Sequence, residues 1–161
     1  MKNNLRISCI ITLYNRQEYI NDAIDCIINQ SLKPYEIIIV DNSSEQIEIN
    51  DKYQDKIKIF KIIPKAGIAQ ALNFGVSISK GEYISFLEDD DTWPKNYLEN
   101  IYSNNYSKYD YIVTPIRKLK NGEITNYKNP KNKINLNNFL LSNPGINISN
   151  LSLKKKSFFK V

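Results

Sequence analysis

Hydrophobic positions along the chain alternate between two textures. Residues 6–13, 36–40 and 81–87 are short β-rich runs with few polar breaks, the pattern of strands buried on both faces. Between them, apolar residues recur every three or four positions: Ile20, Ala23, Ile24, Ile27 and Ile28, then Ile68, Ala71, Leu72 and Gly75. That period predicts helices. Asn15 with Glu18 three residues on predicts a capping-box start for the first helix, and its pattern stops between Ser31 and Pro34. Gly67 opens the second helix, and Pro94 suits the first turn of a third that carries Tyr97, Leu98 and Ile101. Weaker strands are predicted at 57–60 and 110–116. Strands alternating with helices at this spacing predict βαβ units with right-handed crossovers. The expected fold is α/β, a mainly parallel sheet flanked by helices, Rossmann-like.

After residue 119 the texture changes. Asn121-Gly122 is a turn signal that predicts a hairpin between strands around Ile116 and Ile124. Residues 126–138 are rich in Asn, Lys and Pro and read as a mobile loop. A last strand-like run over 146–153 leads into Lys154-Lys155-Lys156 and Ser157-Phe158-Phe159.

Open α/β sheets bind ligands in the crevice beyond the carboxyl ends of their strands, and three polar clusters sit at such ends. They are Thr12-Leu13-Tyr14-Asn15, Asp41-Asn42-Ser43, and Glu88-Asp89-Asp90-Asp91. Four acids in succession repel one another unless a cation neutralises them. Delivered by a buried strand, they favour a metal site over a solvated acidic loop. Mg²⁺ or Mn²⁺ suits such a site, taking one or two carboxylates and filling its other positions with phosphate oxygens and water. Asp41 has two readings, hydrogen bonding to a base or ribose, or capping the turn before Ser43 and Ser44. Tyr14 either lays its ring against a nucleobase or closes the edge of the core. Lys65, just before Gly67, is a weaker candidate for a phosphate or a base.

Composition narrows the chemistry. The 161 residues amount to one domain at most. No stretch of 18 apolar residues occurs, so no transmembrane helix is expected. The amino-terminal residues lack a small-residue cleavage site, so no signal peptide is expected and a cytosolic address follows. The net charge of +5 invites a nucleic-acid reading, but the lysines are scattered and mixed with acids rather than gathered on one helix. Lys154-Lys155-Lys156 reads as a solvated face, or as attraction to an anionic membrane surface or substrate. Cys9 and Cys26 read as small buried hydrophobes. The chain contains no histidine, which removes His-based triads and imidazole metal sites. Acid–base and metal chemistry therefore falls to carboxylates, Tyr and Lys.

Taken in order, Ser8 to Arg16, Ile27 to Ser31, Tyr35 to Ser44, and Lys80 to Trp93 with Glu88-Asp89-Asp90-Asp91 resemble the family 2 glycosyltransferases and their GT-A fold. The resemblance runs from about Arg6 to Leu98. It implies a donor-binding role for Thr12, Tyr14 and Asp41, with Asp41 hydrogen-bonding the base, uracil favoured; Lys65 is counted with them for its position before Gly67. It places the family's DxD-type motif on Glu88-Asp89-Asp90, with Asp90 a metal ligand, Asp89 a ribose or neighbouring contact, and Glu88 a second metal ligand longer by one methylene. Mn²⁺ or Mg²⁺ is the implied cofactor and a UDP-sugar the implied donor, with a glycan or lipid-linked acceptor. The implied reaction is an inverting transfer of a sugar to a hydroxyl, in surface polysaccharide synthesis, at a cytoplasmic address and the inner face of the membrane. Residues 1–120 would form the nucleotide-sugar (donor) binding domain, and 121–161 the incomplete start of an acceptor-side region. The general base is expected beyond Val161, so the chain reads as truncated. One rival is a non-catalytic nucleotide-sugar-binding remnant or interaction domain. Another, a nucleotidyltransferase, lacks the Gly-rich phosphate loop expected after the first strand.

Overall fold

Seven consecutive buried residues, Ile7–Leu13, form β1 at the middle of a six-stranded sheet. The computed structural model describes residues 5–103, 108–120, 123–128 and 145–159. After β1 come α1 (Ile20–Ile28), β2 (Glu36–Asp41), β3 (Lys58–Lys61), α2 (Ile68–Ile78), β4 (Tyr83–Glu88) and α3 (Tyr97–Ser103). These are followed by β5 (Tyr111–Val113), β6 (Ile116–Lys120), β7 (Glu123–Lys128), β8 (Leu151–Lys154) and α4 (Lys155–Phe158). The sheet order is β3-β2-β1-β4-β8-β5, and β6 with β7 forms a separate antiparallel pair. The four strands β3, β2, β1 and β4 are parallel, whereas β8 runs antiparallel to both β4 and β5. The mixed sheet flanked by helices fits the α/β arrangement expected from the sequence.

Alternation along the strands sorts the core into two layers. Odd-numbered residues of β1 and β2, Ile7, Cys9, Ile11, Leu13, Ile37 and Ile39, pack with Ile20, Ala23, Ile24 and Ile27 of α1 and with α3. Their even-numbered neighbours Ile10, Ile38 and Val40, with Ile84 and Phe86 of β4, pack against Ala71 and Val76 of α2. Gly75 permits that second contact: a Cβ there would lie 2.7 Å from Ile10 Cγ2. At Gly81 a Cβ would meet Ser8 Oγ at 2.5 Å and Ser8 N at 2.7 Å, so the turn into β4 sits directly against β1.

Several sequence expectations need adjusting. Asn15 does not cap α1. The helix begins at Ile20 with Tyr19 at the N-cap and no side-chain cap bond. Asn15 instead adopts a left-handed conformation (φ 54°), and its side chain accepts from Ser44 N and donates to Ser44 Oγ. A tertiary partner has won over the local cap. The strand expected at 110–116 is divided between β5 and β6. The hairpin strands around Ile116 and Ile124 form as expected. The Asn121-Gly122 turn lies outside the described residues, as does most of the loop expected at 126–138, whose first three residues belong to β7. Both cysteines are free, Cys9 buried and Cys26 half-buried.

One buried acid ties three strands together. Glu36, at the start of β2, accepts from Ser8 Oγ (2.7 Å), Lys80 N (2.5 Å) and Lys58 Nζ (2.8 Å). Burial pushes its pKa up, but these three donors outweigh burial and leave it below the ordinary glutamate value. A lowered folded-state pKa stabilises fully above the unfolded value and fades as pH falls through the folded one. Glu36→Gln is therefore expected to destabilise the chain by about 1–3 kcal/mol near neutral pH. The gap from wild type should narrow below about pH 4. Denaturant melts at a series of pH values check both; a gap that stays constant into acid would show that Glu36 does not act through its charge.

Candidate functional site

The chain runs from β1 outward through β2 to β3, then returns to lay β4 against the other side of β1. The strand order thus reverses between β1 and β4, the place where open α/β sheets hold ligands. A cleft of about 410 Å³ opens there, lined by Thr12, Tyr14, Arg16, Asn42, Lys65, Gly67, Ile68, Glu88 and Asp89. Register sets Thr12 beside both Val40 and Glu88. Strand parity then brings Thr12, Asn42 and Glu88 to the α2 side of the sheet, and α2 closes the cleft with Gly67 and Ile68 at its start.

Asp89 is the fixed point of this cleft. Only 3% exposed, it accepts from Tyr14 N through Oδ2 (2.9 Å) and from Arg16 Nη1 through Oδ1 (2.8 Å). Burial raises its pKa, while the Tyr14 N–H and Arg16 pull the other way. Glu88 is likewise raised, first by burial and then by Asp91 and Asp90, with Arg16 opposing. Its backbone N–H donates to Ser149 Oγ (3.0 Å), so the segment before β8 braces the acidic turn. Asp90 is more open, and its Oδ2 lies 2.8 Å from Arg16 Nη1.

On the opposite wall, the loops after β1, β2 and β3 are stitched to one another. Asn42 N donates to Leu13 O, Lys65 N to Asn42 O, and Asn15 N to Ser43 Oγ. Lys65 sits in a left-handed conformation (φ 62°) and Gly67 has φ 86°. A long side chain in that region is strained and persists where its surroundings dictate it. Tyr14 is 44% exposed, leaving ring surface free at the cleft.

Of the residues picked out by sequence, the structure gathers Thr12, Tyr14, Lys65, Glu88 and Asp89 on one cleft. Asp90 joins its rim through Arg16. Asp41 is not brought there. Its Oδ1 accepts from Ser43 N (2.8 Å), Lys61 Nζ lies 3.6 Å from its Oδ2, and it lines a separate hollow with Leu13, Ile47, Ile49 and Ile57. The turn-capping role weighed for it is present. Sequence reasoning passed over Arg16, Asn42, Gly67 and Ile68. The available signal for Asn42 was parity, since it continues the face of Val40 while Asp41 continues that of Ile39.

The donor set suits a cation that arrives with ligands of its own. Among the described residues no three acidic, Cys or His side chains converge as a ready metal cage. Asp89 is committed to Tyr14 and Arg16, which leaves Glu88 and Asp90 as hard oxygen donors. Two carboxylates are enough for Mg²⁺ or Mn²⁺ that also takes phosphate oxygens and water.

A mixed, mainly parallel α/β sheet with a polar cleft at its order switch defines a ligand-binding domain of the doubly wound class. The model of the family described as Glycosyl transferase family 2 matches residues 8–160, and the chain belongs to that family. Over 125 residues it is 33% identical to the Escherichia coli UDP-Glc:alpha-D-GlcNAc-diphosphoundecaprenol beta-1,3-glucosyltransferase WfaP, covering 68% of this chain and 50% of that protein. The fold is similar to that of S. aureus TarS residues 1–349 in complex with UDP-GlcNAc (TM-score 0.65, 23% identity, 76% of this chain and 37% of that one). It is also similar to the mannosyltransferase PcManGT of Pyrobaculum calidifontis in complex with GDP-Man and Mn²⁺ (TM-score 0.55, 19% identity, 70% and 36%). The chain spans half or less of the length of the curated relatives it matches. Among the described residues no helix is long and apolar enough to cross a membrane.

The turn that follows the acids is held by Gln30, 1% exposed. Its Nε2 donates to Cys26 O (3.0 Å) and Pro94 O (2.8 Å), and its Oε1 accepts from Leu98 N (3.0 Å). Trp93 stacks on Tyr97 (centroids 4.3 Å apart) and donates Nε1–H to Ser149 O (2.7 Å). Gln30→Ala removes all three Gln30 bonds. Pro94 O keeps Tyr97 N as a donor (2.9 Å), but the buried Leu98 N loses its acceptor, so the change is expected to cost about 1–3 kcal/mol. It should also shift the emission of Trp93, the single tryptophan, to longer wavelength. Chemical denaturation followed by fluorescence checks both; an unshifted spectrum would mean that Gln30 does not hold the Trp93 turn.

Proposed function

We propose that this chain is the donor-binding part of a metal-dependent, inverting glycosyltransferase that takes a sugar from a nucleoside diphosphate, UDP favoured, and passes it to a hydroxyl acceptor. The observation that carries the reading is the convergence of the tips of β1, β2 and β4 on one cleft, with Asp89 locking the first to the last. Tyr14 offers a ring face to the base and Thr12 borders it. The base-edge role that the resemblance implies for Asp41 passes to its neighbour Asn42, which lines the cleft. An amide presents a donor beside an acceptor, which matches the N–H and carbonyl of a uracil edge. Lys65 and Arg16 supply positive charge for the diphosphate. Asp90 and Glu88 are the residues to hold Mn²⁺ or Mg²⁺, and such an ion takes up charge that develops on a departing diphosphate.

The general base belongs to the acceptor side, beyond Val161 in this reading. The division near residue 120 marks a change of role rather than of core, since β8 returns to the sheet of the donor half. A lipid-linked or glycan acceptor in polysaccharide assembly fits the GlcNAc-diphosphoundecaprenol named in the E. coli glucosyltransferase. With it goes a cytoplasmic address at the inner membrane face; of the basic run at 154–156 only Lys156 is exposed, since Lys154 lies 3.7 Å from Asp110 and Lys155 donates to Ser77 O and Ser79 O.

Titration calorimetry of UDP into the chain, with and without Mn²⁺, tests the proposal. Binding is expected with Mn²⁺ and is expected to weaken without it. Asp90→Ala should lower the Mn²⁺-dependent affinity at least about tenfold, a loss of about 1.4 kcal/mol. Asn42→Ala should weaken UDP binding with or without the metal. Absence of UDP binding under every condition would falsify the assignment.

A further inference from the structure

Resting on that reading of the cleft, a further role falls to Arg16, which the sequence pattern does not single out. One nitrogen, Nη1, lies 2.8 Å from Asp89 Oδ1 and 2.8 Å from Asp90 Oδ2. The two limbs of this bridge are unequal. The Asp89 side chain is 4% exposed and its other oxygen is taken by Tyr14 N, so losing Arg16 would leave a buried charge poorly compensated. The Asp90 side chain is 40% exposed, and an ion pair in water is weakly held. The other N–H groups of the guanidinium make no hydrogen bond among the described residues, and Arg16 lines the cleft. A planar fork with free N–H donors matches the geometry of phosphate oxygens.

We propose that Arg16 couples cation binding to diphosphate binding. With its guanidinium paired to Asp90, a lone divalent ion approaching that carboxylate meets a fixed positive charge alongside. A diphosphate pairs with the free edge of the guanidinium and draws it off Asp90, which then becomes available to the cation arriving on the same phosphates. Asp89 keeps its hold on Arg16 throughout, so the swing pivots on the sheltered limb. Coupling of this kind is reciprocal, each ligand favouring the other.

The test titrates Mn²⁺ alone against the chain, read from the paramagnetic signal of the free ion, and in parallel UDP with Mn²⁺ by calorimetry. Wild type is expected to bind Mn²⁺ alone weakly. Arg16→Gln is expected to bind it at least about tenfold more tightly, and Asp90→Asn in that background to abolish the gain. The enhancement of Mn²⁺ affinity by UDP should shrink in Arg16→Gln. Should that variant not fold, Asp89→Asn with Arg16→Gln removes the buried charge along with its partner and must show the same gain over Asp89→Asn alone. Unchanged or weaker Mn²⁺ affinity on losing Arg16 overturns the inference, whatever UDP does. A gain in Mn²⁺ affinity with no UDP binding in any form of the protein supports the guarding of Asp90 and removes the nucleotide reading instead.

Discussion

A carboxylate buried between two strand tips sets the terms for this cleft. Asp89 follows the last residue of β4, and β4 lies in register beside β1 with Glu88 opposite Thr12. The chain after β1 must turn away from the sheet at once, which leaves Tyr14 N without a strand partner. Asp89 supplies that partner and receives Arg16 in return. An ionised group this deep would otherwise take up a proton or force the turn open. The orientation of Tyr14, the left-handed bend at Asn15 and the position of Arg16 all follow from satisfying one buried charge. The remaining contacts of the cleft are arranged around it, with Asn15 clasped to Ser43 and Ser44 on the far wall.

The order of the elements was readable because the strands are so uniformly apolar. Residues 7–13 and 36–41 are buried at every position, and such runs, separated by helical periods, leave few alternatives to a parallel sheet. The exceptions are places where a distant partner decides. Asn15 and Glu18 have the spacing of a cap, yet the loop after β2 offers Asn15 two bonds that a helix terminus does not. The insertion of β8 between β4 and β5 leaves no trace in local pattern. Its four residues owe their place to Ser85–Ser152 pairing across the sheet and to Asn150, which donates to Thr114 O and Gly145 O. The Ser85–Ser152 and Asn150–Thr114 contacts span 67 and 36 residues, and periodicity does not report them.

The site was legible to the level of clusters and less so to the level of single side chains. Reading the polar tips as one crevice brought together Thr12, Tyr14, Lys65, Glu88 and Asp89. The misplaced emphasis at the end of β2 has a simple physical origin. A carboxylate attracts attention, but the pleat takes no account of charge. Asp41 shares the face of Ile37 and Ile39 and so points toward the α1 layer, while Asn42 shares the face of Ile38 and Val40 and so meets the cleft. Arg16 escaped for the opposite reason. It lies in a turn, where no period applies, and only the left-handed residue before it swings the side chain back over the acids.

Charge balance shows why the cleft suits a ligand that brings its own cation. Glu88, Asp89 and Asp90 face Arg16 and Lys65 at the mouth, so the protein itself brings more acid than base to the site. Burial and neighbouring carboxylates both raise the Glu88 pKa, which means added negative charge is opposed before any phosphate enters. A diphosphate alone would deepen that imbalance, and Arg16 cannot relieve it fully while it also serves Asp89. A divalent ion carried on the same phosphates reverses the sign of the problem, because each carboxylate that repels the naked anion attracts the metal complex. On the proposed reading the acids would discriminate by charge against unmetallated ligands as well as offer ligands to a metal. That discrimination would persist even if Glu88, longer than aspartate by one methylene, never touched the ion.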